Sequence, residues 1–418
     1  MKIDKIAFYY PSKITGGTEY LFKRCSEYLA ENQNEYTIYY IDYIDGFVRK
    51  NIQSNKVNFI FYEKGSTINL GDGFAIVAPL YLLPLNKTIT YDREQSLALY
   101  WMVHQVNILC HIHSNNNFLI SKRRRQLLGD YIKELSRIGV IKYMGYAAVF
   151  YIYEDLFQDA EEYEWLPNII NVSSKNNQAP SFEPLAKGCI KFCWLGRLDE
   201  EKSRNILTYM NELQDLSANV SLKLSLIGVG PEEETLKEKA LLYSYPIEFV
   251  GEKRDKELDR YLREETSIGL ASGTSALEFA LRGKPVIVDW VIDRVYHADE
   301  RKKYTFLYED ENIDTSAKDC IVRINEDSFR KKFESLMSDY VSVCKAEYEY
   351  AMTKRVDVCS ERLIGSIVHL SNVDVSKVNY LEENIYKIYL IARIKAALIA
   401  IIHNPFLIFR KLYRLFHK

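Results

Sequence analysis

Inside LASGTSALEFALRGKPVIVDW, residues 270–290, an acid interrupts a helix-like apolar run at Glu278. Two chemistries fit it. Ser275 and Glu278 have the S-x-x-E spacing of a capping box, in which the acid bonds back to the start of its own helix. Alternatively, Gly273, Thr274 and Ser275 offer backbone N–H groups to a diphosphate. Glu278 then accepts hydrogen bonds from both hydroxyls of a ribose, as a carboxylate has the acceptors for a vicinal diol. Residue types alone do not choose between the two.

Cations with a matching task follow the apolar run Ile190–Trp194. Arg197 comes directly after Gly196, and Lys202 lies five positions further on. A guanidinium presents a planar fork to phosphate oxygens and an ammonium presents a mobile point charge. The plainer reading is a pair of solvated cations bound to neighbouring acids. Gly16 and Gly17 follow another apolar run, Ile6–Tyr10, and open a helix near Thr18. A glycine pair lets the backbone approach a ligand closely, and the N–H groups of a helix start attract phosphate. A flexible loop capped by Thr18 would look the same. Gly228-Val229-Gly230-Pro231 and Phe249-Val250-Gly251, with Lys253 just beyond, have the same arrangement of strand, glycine turn and helix. His104 closes Ala98–His104 and reads as a sugar- or acceptor-facing histidine or as a half-buried structural one. Cys110, His111 and His113 are too tightly spaced for a standard zinc site. No D-x-D triplet occurs, and Glu309-Asp310-Glu311-Asn312 reads as a solvated loop.

These side chains need a frame. Continuous apolar runs recur at Ile6–Tyr10, Thr37–Ile41, Val57–Phe61, Phe74–Ala78 and Ala147–Tyr153. A second series covers Ile190–Trp194, Leu222–Ile227, Ile247–Val250, Ser267–Leu270 and Pro285–Val288. Continuous rather than alternating runs suit parallel strands covered on both faces, and helix-like stretches separate them. The polar segment 171–187 divides the two series. The expected fold class is therefore α/β. It comprises two Rossmann-like domains with an interdomain cleft and ligands beyond the carboxyl ends of the strands. The expected boundaries are 1–172, a linker at 173–187, 188–350, and C-terminal helices at 351–418.

Taken in order, the segments resemble the GT-B glycosyltransferases of group 1, glycosyltransferase family 4. The residues carrying the resemblance are Gly16-Gly17-Thr18-Glu19, Trp165-Leu166-Pro167-Asn168 and Gly196-Arg197 with Lys202. Gly228-Val229-Gly230-Pro231, Phe249-Val250-Gly251 and Glu278 to Pro285 complete it. The resemblance implies a domain that binds the acceptor followed by a domain that binds a nucleotide-sugar donor. It implies that Arg197 and Lys202 hold the donor phosphates and stabilise the departing diphosphate, with His104 facing sugar or acceptor. Glu278 would bind the ribose, Gly16, Gly17 and Gly273–Ser275 would contact phosphate or sugar, and Lys253 would lie by the base. No metal and no cofactor are implied beyond the nucleotide-diphosphate sugar, which is a substrate. One position departs: the family's E-x7-E pattern places its first Glu at 270, where this chain has Leu270.

Composition narrows the classes. The 418 residues carry a net charge of −2, so nothing marks a nucleic-acid binder. Seven dispersed cysteines without a CxxC pair read as reduced thiols, and no signal peptide or spanning run is expected. The charge is uneven, however. Residues 384–418 carry seven Lys or Arg and no acid, leaving −9 on residues 1–383. This basic, amphipathic tail is broken by Pro405, and it suits a helix lying on an anionic membrane surface. Lys122–Arg125 could add to that face. The tail could also pack on the body or join subunits. The reading that follows is a cytoplasmic enzyme held peripherally on the inner face of the membrane. It would transfer a sugar from a nucleotide diphosphate to a saccharide on a polyprenyl diphosphate, in bacterial surface polysaccharide synthesis. The alternatives are a non-catalytic GT-B accessory subunit and a soluble protein glycosyltransferase.

Overall fold

The computed structural model describes residues 2–14, 16–85, 88–102, 121–144, 166, 169–170, 179–289, 304–309 and 327–403. The chain forms two compact units. The first takes the described residues within Met1–Tyr143 and Leu363–Lys418, and the second Met144 and those within Leu166–Arg362.

The first unit is built on a six-stranded sheet. Its strands are β1 (Lys5–Tyr9), β2 (Thr37–Asp42), β3 (Asn58–Phe61), β5 (Phe74–Pro79), β7 (Leu97–Met102) and β8 (Ile141–Tyr143). They run parallel in the order β3-β2-β1-β5-β7-β8. A separate parallel pair joins β4 (Ile68–Asn69) to β6 (Ile89–Thr90). β1 and β5 are fully apolar at their centres because helices cover both faces of a parallel sheet. The helix Gly17–Asn32 turns Leu21, Phe22, Cys25 and Leu29 inward at helical spacing. The apolar run Ala147–Tyr153 lies outside the described residues.

The second unit repeats the plan. β9 (Ile190–Leu195), β10 (Leu222–Ile227), β11 (Ile247–Gly251), β12 (Ile268–Leu270) and β13 (Val286–Asp289) run parallel. β14 (Tyr304–Phe306) closes the edge antiparallel to β13, giving the order β11-β10-β9-β12-β13-β14. Trp194 of β9 packs against Tyr209 of the helix Glu200–Ser217 in a core that includes Leu224, Ile268 and Leu270. At one edge of this unit Glu347 is fully buried and accepts from the backbone N–H groups of Val286 and Leu307, at 2.6 and 3.0 Å. Burial pushes its carboxyl well above the usual range. Glu309 does not sit in a solvated loop. It accepts from the Phe306 N–H and the Thr305 hydroxyl and pairs with Lys332 at 2.6 Å.

From Leu363 the chain belongs to the first unit again. The helix Val375–His403 lies against the helix Lys122–Arg137. Val378, Leu381, Glu382, Ile385 and Ile388 form its buried stripe. Within that stripe Glu382 accepts from the Tyr100 hydroxyl at 2.7 Å; beside it Arg93 donates to the half-buried Asn379 at 3.3 Å. Further along, Leu390 and Ile394 are exposed. Among the described residues no helix is long and apolar enough to cross a membrane.

Candidate functional site

In both sheets the order of strands reverses beside the first strand of the unit, the place where open α/β sheets take ligands. In the second unit that point falls between β9 and β12. Gly196 leaves β9, and its N–H donates to the Ile227 carbonyl at 3.0 Å. Leu198 donates to Val229 at 3.1 Å, and Glu232 donates to Leu198 at 2.9 Å. The loops after β9 and β10 thus bind each other through backbone alone. Glycine is required for this fit. Gly228 has φ +143°, and a Cβ there would run into the Gly196 carbonyl oxygen, as one at Gly230 would meet the Leu198 carbonyl.

On this platform stand the two cations. Asp199 starts the helix that carries Lys202, since its carboxylate accepts the Lys202 backbone N–H at 3.0 Å as the N-cap of the helix Glu200–Ser217. It also holds the exposed Arg197 guanidinium at 3.2 Å. The Lys202 ammonium reaches across the switch point and donates to the Ser272 hydroxyl, beyond β12, at 3.3 Å. Ser272 leads into Gly273, Thr274 and Ser275. One unit therefore gathers a guanidinium, an ammonium, a hydroxyl and the start of an 18-residue helix at one strand mouth. That set suits a diphosphate.

The capping box does not form. Gly273, at φ +63°, is the N-cap of the short helix Thr274–Ala280, and no side chain caps it. Glu278 turns along the helix instead, and its Oε2 pairs with the Arg282 Nη1 at 2.8 Å. Arg282 in turn donates through Nε to Asp259 at 2.9 Å. Burial would raise the Asp259 carboxyl, but the Arg263 hydrogen bond and the Arg282 charge together hold it below its usual range. Leu270, where the family pattern has an acid, is fully buried in the core and brings no polar group to this mouth. Lys253 follows β11, two strands from β9, where it pairs with Glu257 at 2.5 Å and lies 5.7 Å over the Tyr261 ring.

The mouth of the first sheet is built differently. Ser12, after β1, donates its N–H to Asp42 at 3.2 Å and its hydroxyl to Glu19 at 2.7 Å, and its carbonyl accepts from the Phe47 N–H at 2.7 Å. Glu19 is only 3% exposed and Asp42 not at all. Burial pushes the Asp42 carboxyl up, against the pull of the backbone N–H groups of Arg49, Tyr43, Ser12 and Val48. A Cβ on Gly16 would lie 2.5 Å from the Glu19 Oε2. Gly17 begins the helix that carries Glu19. Lys13, the cation of this loop, is paired with Asp45 at 2.7 Å.

No family model matches the chain, and no curated protein matches it in sequence. Its fold is similar to the crystal structure of Anabaena HepE in complex with UDP and glucose. The two chains are 12% identical over 87% of this chain and 99% of that one, with a TM-score of 0.51. The chain has the GT-B fold. The apo form of the lipopolysaccharide outer core galactosyltransferase WaaB also resembles it. That pair is 12% identical over 87% and 99% of the two chains, with a TM-score of 0.49.

Within this GT-B chain, Arg197, Lys202 and Gly273–Ser275 share the β9/β12 mouth. Glu278 lies one turn into the helix that follows, and Lys253 ends the neighbouring β11. Gly16 and Gly17 belong to the first unit, and His104 lies outside the described residues. Ser272, Asp259, Arg282, Ser12, Glu19 and Asp42 carry geometry that the sequence reading did not assign. A signal existed for Arg282, which follows Glu278 at i+4, the spacing of helix ion pairs. Among the described residues no cluster of three His, Cys, Asp or Glu side chains is placed to hold a metal ion.

Proposed function

We propose that the chain is a glycosyltransferase that takes a sugar from a nucleotide diphosphate bound at the second unit's strand mouth. One observation carries this reading. Lys202 spans the β9/β12 switch point to Ser272, with Arg197 fixed beside it by the shared Asp199. Such a set offers positive charge where a departing diphosphate gains negative charge, so these two side chains stabilise the leaving group and no metal is assigned the task. Glu278 takes the ribose hydroxyls, Gly273–Ser275 lie along the phosphates and sugar, and Lys253 lies toward the base. The first mouth, with its buried acids, suits a hydroxyl-bearing acceptor better than a second phosphate. Gly16 and Gly17 shape that mouth; for His104, outside the described residues, the family resemblance alone supports a role facing sugar or acceptor. The likeness to HepE, whose structure holds UDP and glucose, supports the donor class.

Two finer assignments complete the proposal. The acceptor is a saccharide on a polyprenyl diphosphate, and residues 384–418 rest on an anionic membrane surface at the cytoplasmic face. The exposed Leu390 and Ile394 on the helix Val375–His403, with the +7 charge of residues 384–418, support the second. Flotation with anionic liposomes tests it. Loss of flotation on removing residues 404–418 is expected, and full-length protein left among the soluble fractions defeats it. The family resemblance implies retention of anomeric configuration and Leu270 departs from it, so NMR of the first product formed decides between retention and inversion.

The donor assignment is tested by thermal shift across a nucleotide-sugar panel, on the wild type and on Arg197→Ala and Glu278→Ala. Stabilisation by one donor, lost in both variants, is the expected result. A second reading, a non-catalytic GT-B subunit supporting a partner enzyme, is favoured by the apolar, buried Leu270 in place of an acid. A folded protein that no nucleotide sugar stabilises would select it.

A further inference from the structure

The Glu278 carboxylate is not left to find its own orientation. Arg282 Nη1 donates both to Glu278 Oε2, at 2.8 Å, and to the Glu278 backbone carbonyl, at 2.7 Å. The opposite edge of the same guanidinium, Nε, donates to Asp259 Oδ1 at 2.9 Å. Asp259 comes from the helix Asp255–Glu264, so a second element holds the arginine from behind. The Arg282 and Glu278 side chains are only 11% and 17% exposed. A pair this enclosed is held more firmly than the usual solvent-facing i,i+4 pair.

We infer that Arg282, braced by Asp259, is a positioning residue that fixes the Glu278 carboxylate for the two hydroxyls of a ribose. The inference rests on the proposed donor site, in which Glu278 takes the ribose. A free glutamate rotates about three bonds, and ordering it on binding opposes affinity. A guanidinium gripped on two edges removes that freedom before the ligand arrives. Holding the plane of the carboxylate also decides which diol geometry it accepts. The consequence is specificity for ribo- over deoxyribonucleotides, because a site built to bond a hydroxyl rejects the analogue that lacks it.

The experiment measures Kd by calorimetry on the full chain. The probes are ribonucleoside diphosphates with each of the common bases and their 2′-deoxy and 3′-deoxy counterparts. Wild type should prefer the ribo form about tenfold or more. Glu278→Gln should erase that preference. Arg282→Met should shrink it to within about twofold while weakening ribonucleotide binding roughly tenfold, and Asp259→Asn should fall between. Arg282→Lys keeps the charge but not the double edge, and should behave as Arg282→Met does. A purely structural arginine would lower the melting temperature and leave the ribo-to-deoxy ratio unchanged. Thus a ratio retained in Arg282→Met, Arg282→Lys and Asp259→Asn but lost in Glu278→Gln overturns the positioning role and leaves the donor site standing. A ratio retained in Glu278→Gln overturns the ribose assignment itself, and this inference with it. Should Arg282→Met fail to fold, Arg282→Lys and Asp259→Asn decide the matter.

Discussion

The loops after β1 and β9 occupy equivalent places in two similar sheets, yet they handle charge in opposite ways. After β1 the buried ionisable groups are acids, Glu19 and Asp42, spent on Ser12 and on backbone N–H groups, while the exposed cation, Lys13, is already paired with Asp45. After β9 they include two cations: Arg197, exposed and paired with the capping acid Asp199, and Lys202, half-buried with its ammonium on the Ser272 hydroxyl. A buried charge bonded to its own chain shapes a loop, whereas an exposed charge fixed in place is available to a ligand. The contrast supports the proposal that puts the phosphate at the second mouth, even though both carry the glycine turn that first suggested it.

The largest effect should separate charge from architecture. Arg197→Ala and Lys202→Ala are each expected to lower turnover with the cognate nucleotide sugar by roughly 10²–10³-fold. The melting temperature should fall by no more than about 2 °C for Arg197→Ala, whose side chain is largely solvent-facing, and by somewhat more for the half-buried Lys202. Unchanged turnover in both would break the comparison.

The next effect concerns the glycines. Gly228→Ala forces a Cβ into the Gly196 carbonyl at φ +143°, and backbone must move, which should destabilise the protein by roughly 3 kcal/mol. Gly16→Ala presses only on the end of the Glu19 side chain, which can turn aside, so about 1 kcal/mol is expected. Urea unfolding of the pair measures the difference, and equal losses would say that the two loops are built alike.

Lys142 tests the buried-charge half of the contrast. It is fully buried on β8, and desolvation lowers its ammonium pKa to about 8, against about 10.4 in an unfolded chain. Below pH 8 the folded protein carries that charge in its interior, and the penalty is fully present. The penalty fades as pH rises through the window between the folded and unfolded values, where the unfolded chain binds the extra proton. Lys142→Met should therefore be more stable by about 2 kcal/mol at pH 7, with the advantage gone above roughly pH 10.5. Unfolding curves at the two pH values check the sign.

The smallest effect belongs to Ser12. Ser12→Ala removes its hydroxyl from Glu19 and should destabilise by about 1 kcal/mol. It should raise the KM for acceptor while the donor Kd stays put, and a shift in donor Kd instead would move phosphate back to Gly16 and Gly17.

Much of this frame was readable from the chain itself. Runs such as Ile6–Tyr10 and Leu222–Ile227 announce parallel strands because both of their faces are apolar. The glycines at 196, 228 and 230 mark where strands end. What each end binds was less legible, because side-chain partners come from distant elements. Nothing near Lys202 points to Ser272, seventy positions away, and nothing near Tyr100 points to Glu382. Of the two chemistries open to Glu278, the capping box fails. Its S-x-x-E spacing is correct, but Gly273 at positive φ starts the helix two residues early and Arg282 offers a better partner. Glu309 reads as solvated in a run of acids, since the lysine that pairs with it, Lys332, lies on a helix more than twenty residues on.

The interlocked loops at 196–198 and 228–232 also bear on how such a protein can be altered. Because the two are joined through main-chain atoms, with glycines that tolerate no side chain between them, neither can drift alone. A segment 196–202 transplanted from another GT-B protein would keep its seat only if 228–232 travelled with it. Donor preference in this scaffold should therefore be exchanged as a two-piece cassette, and libraries that randomise one loop against a fixed partner should return mostly misfolded chains.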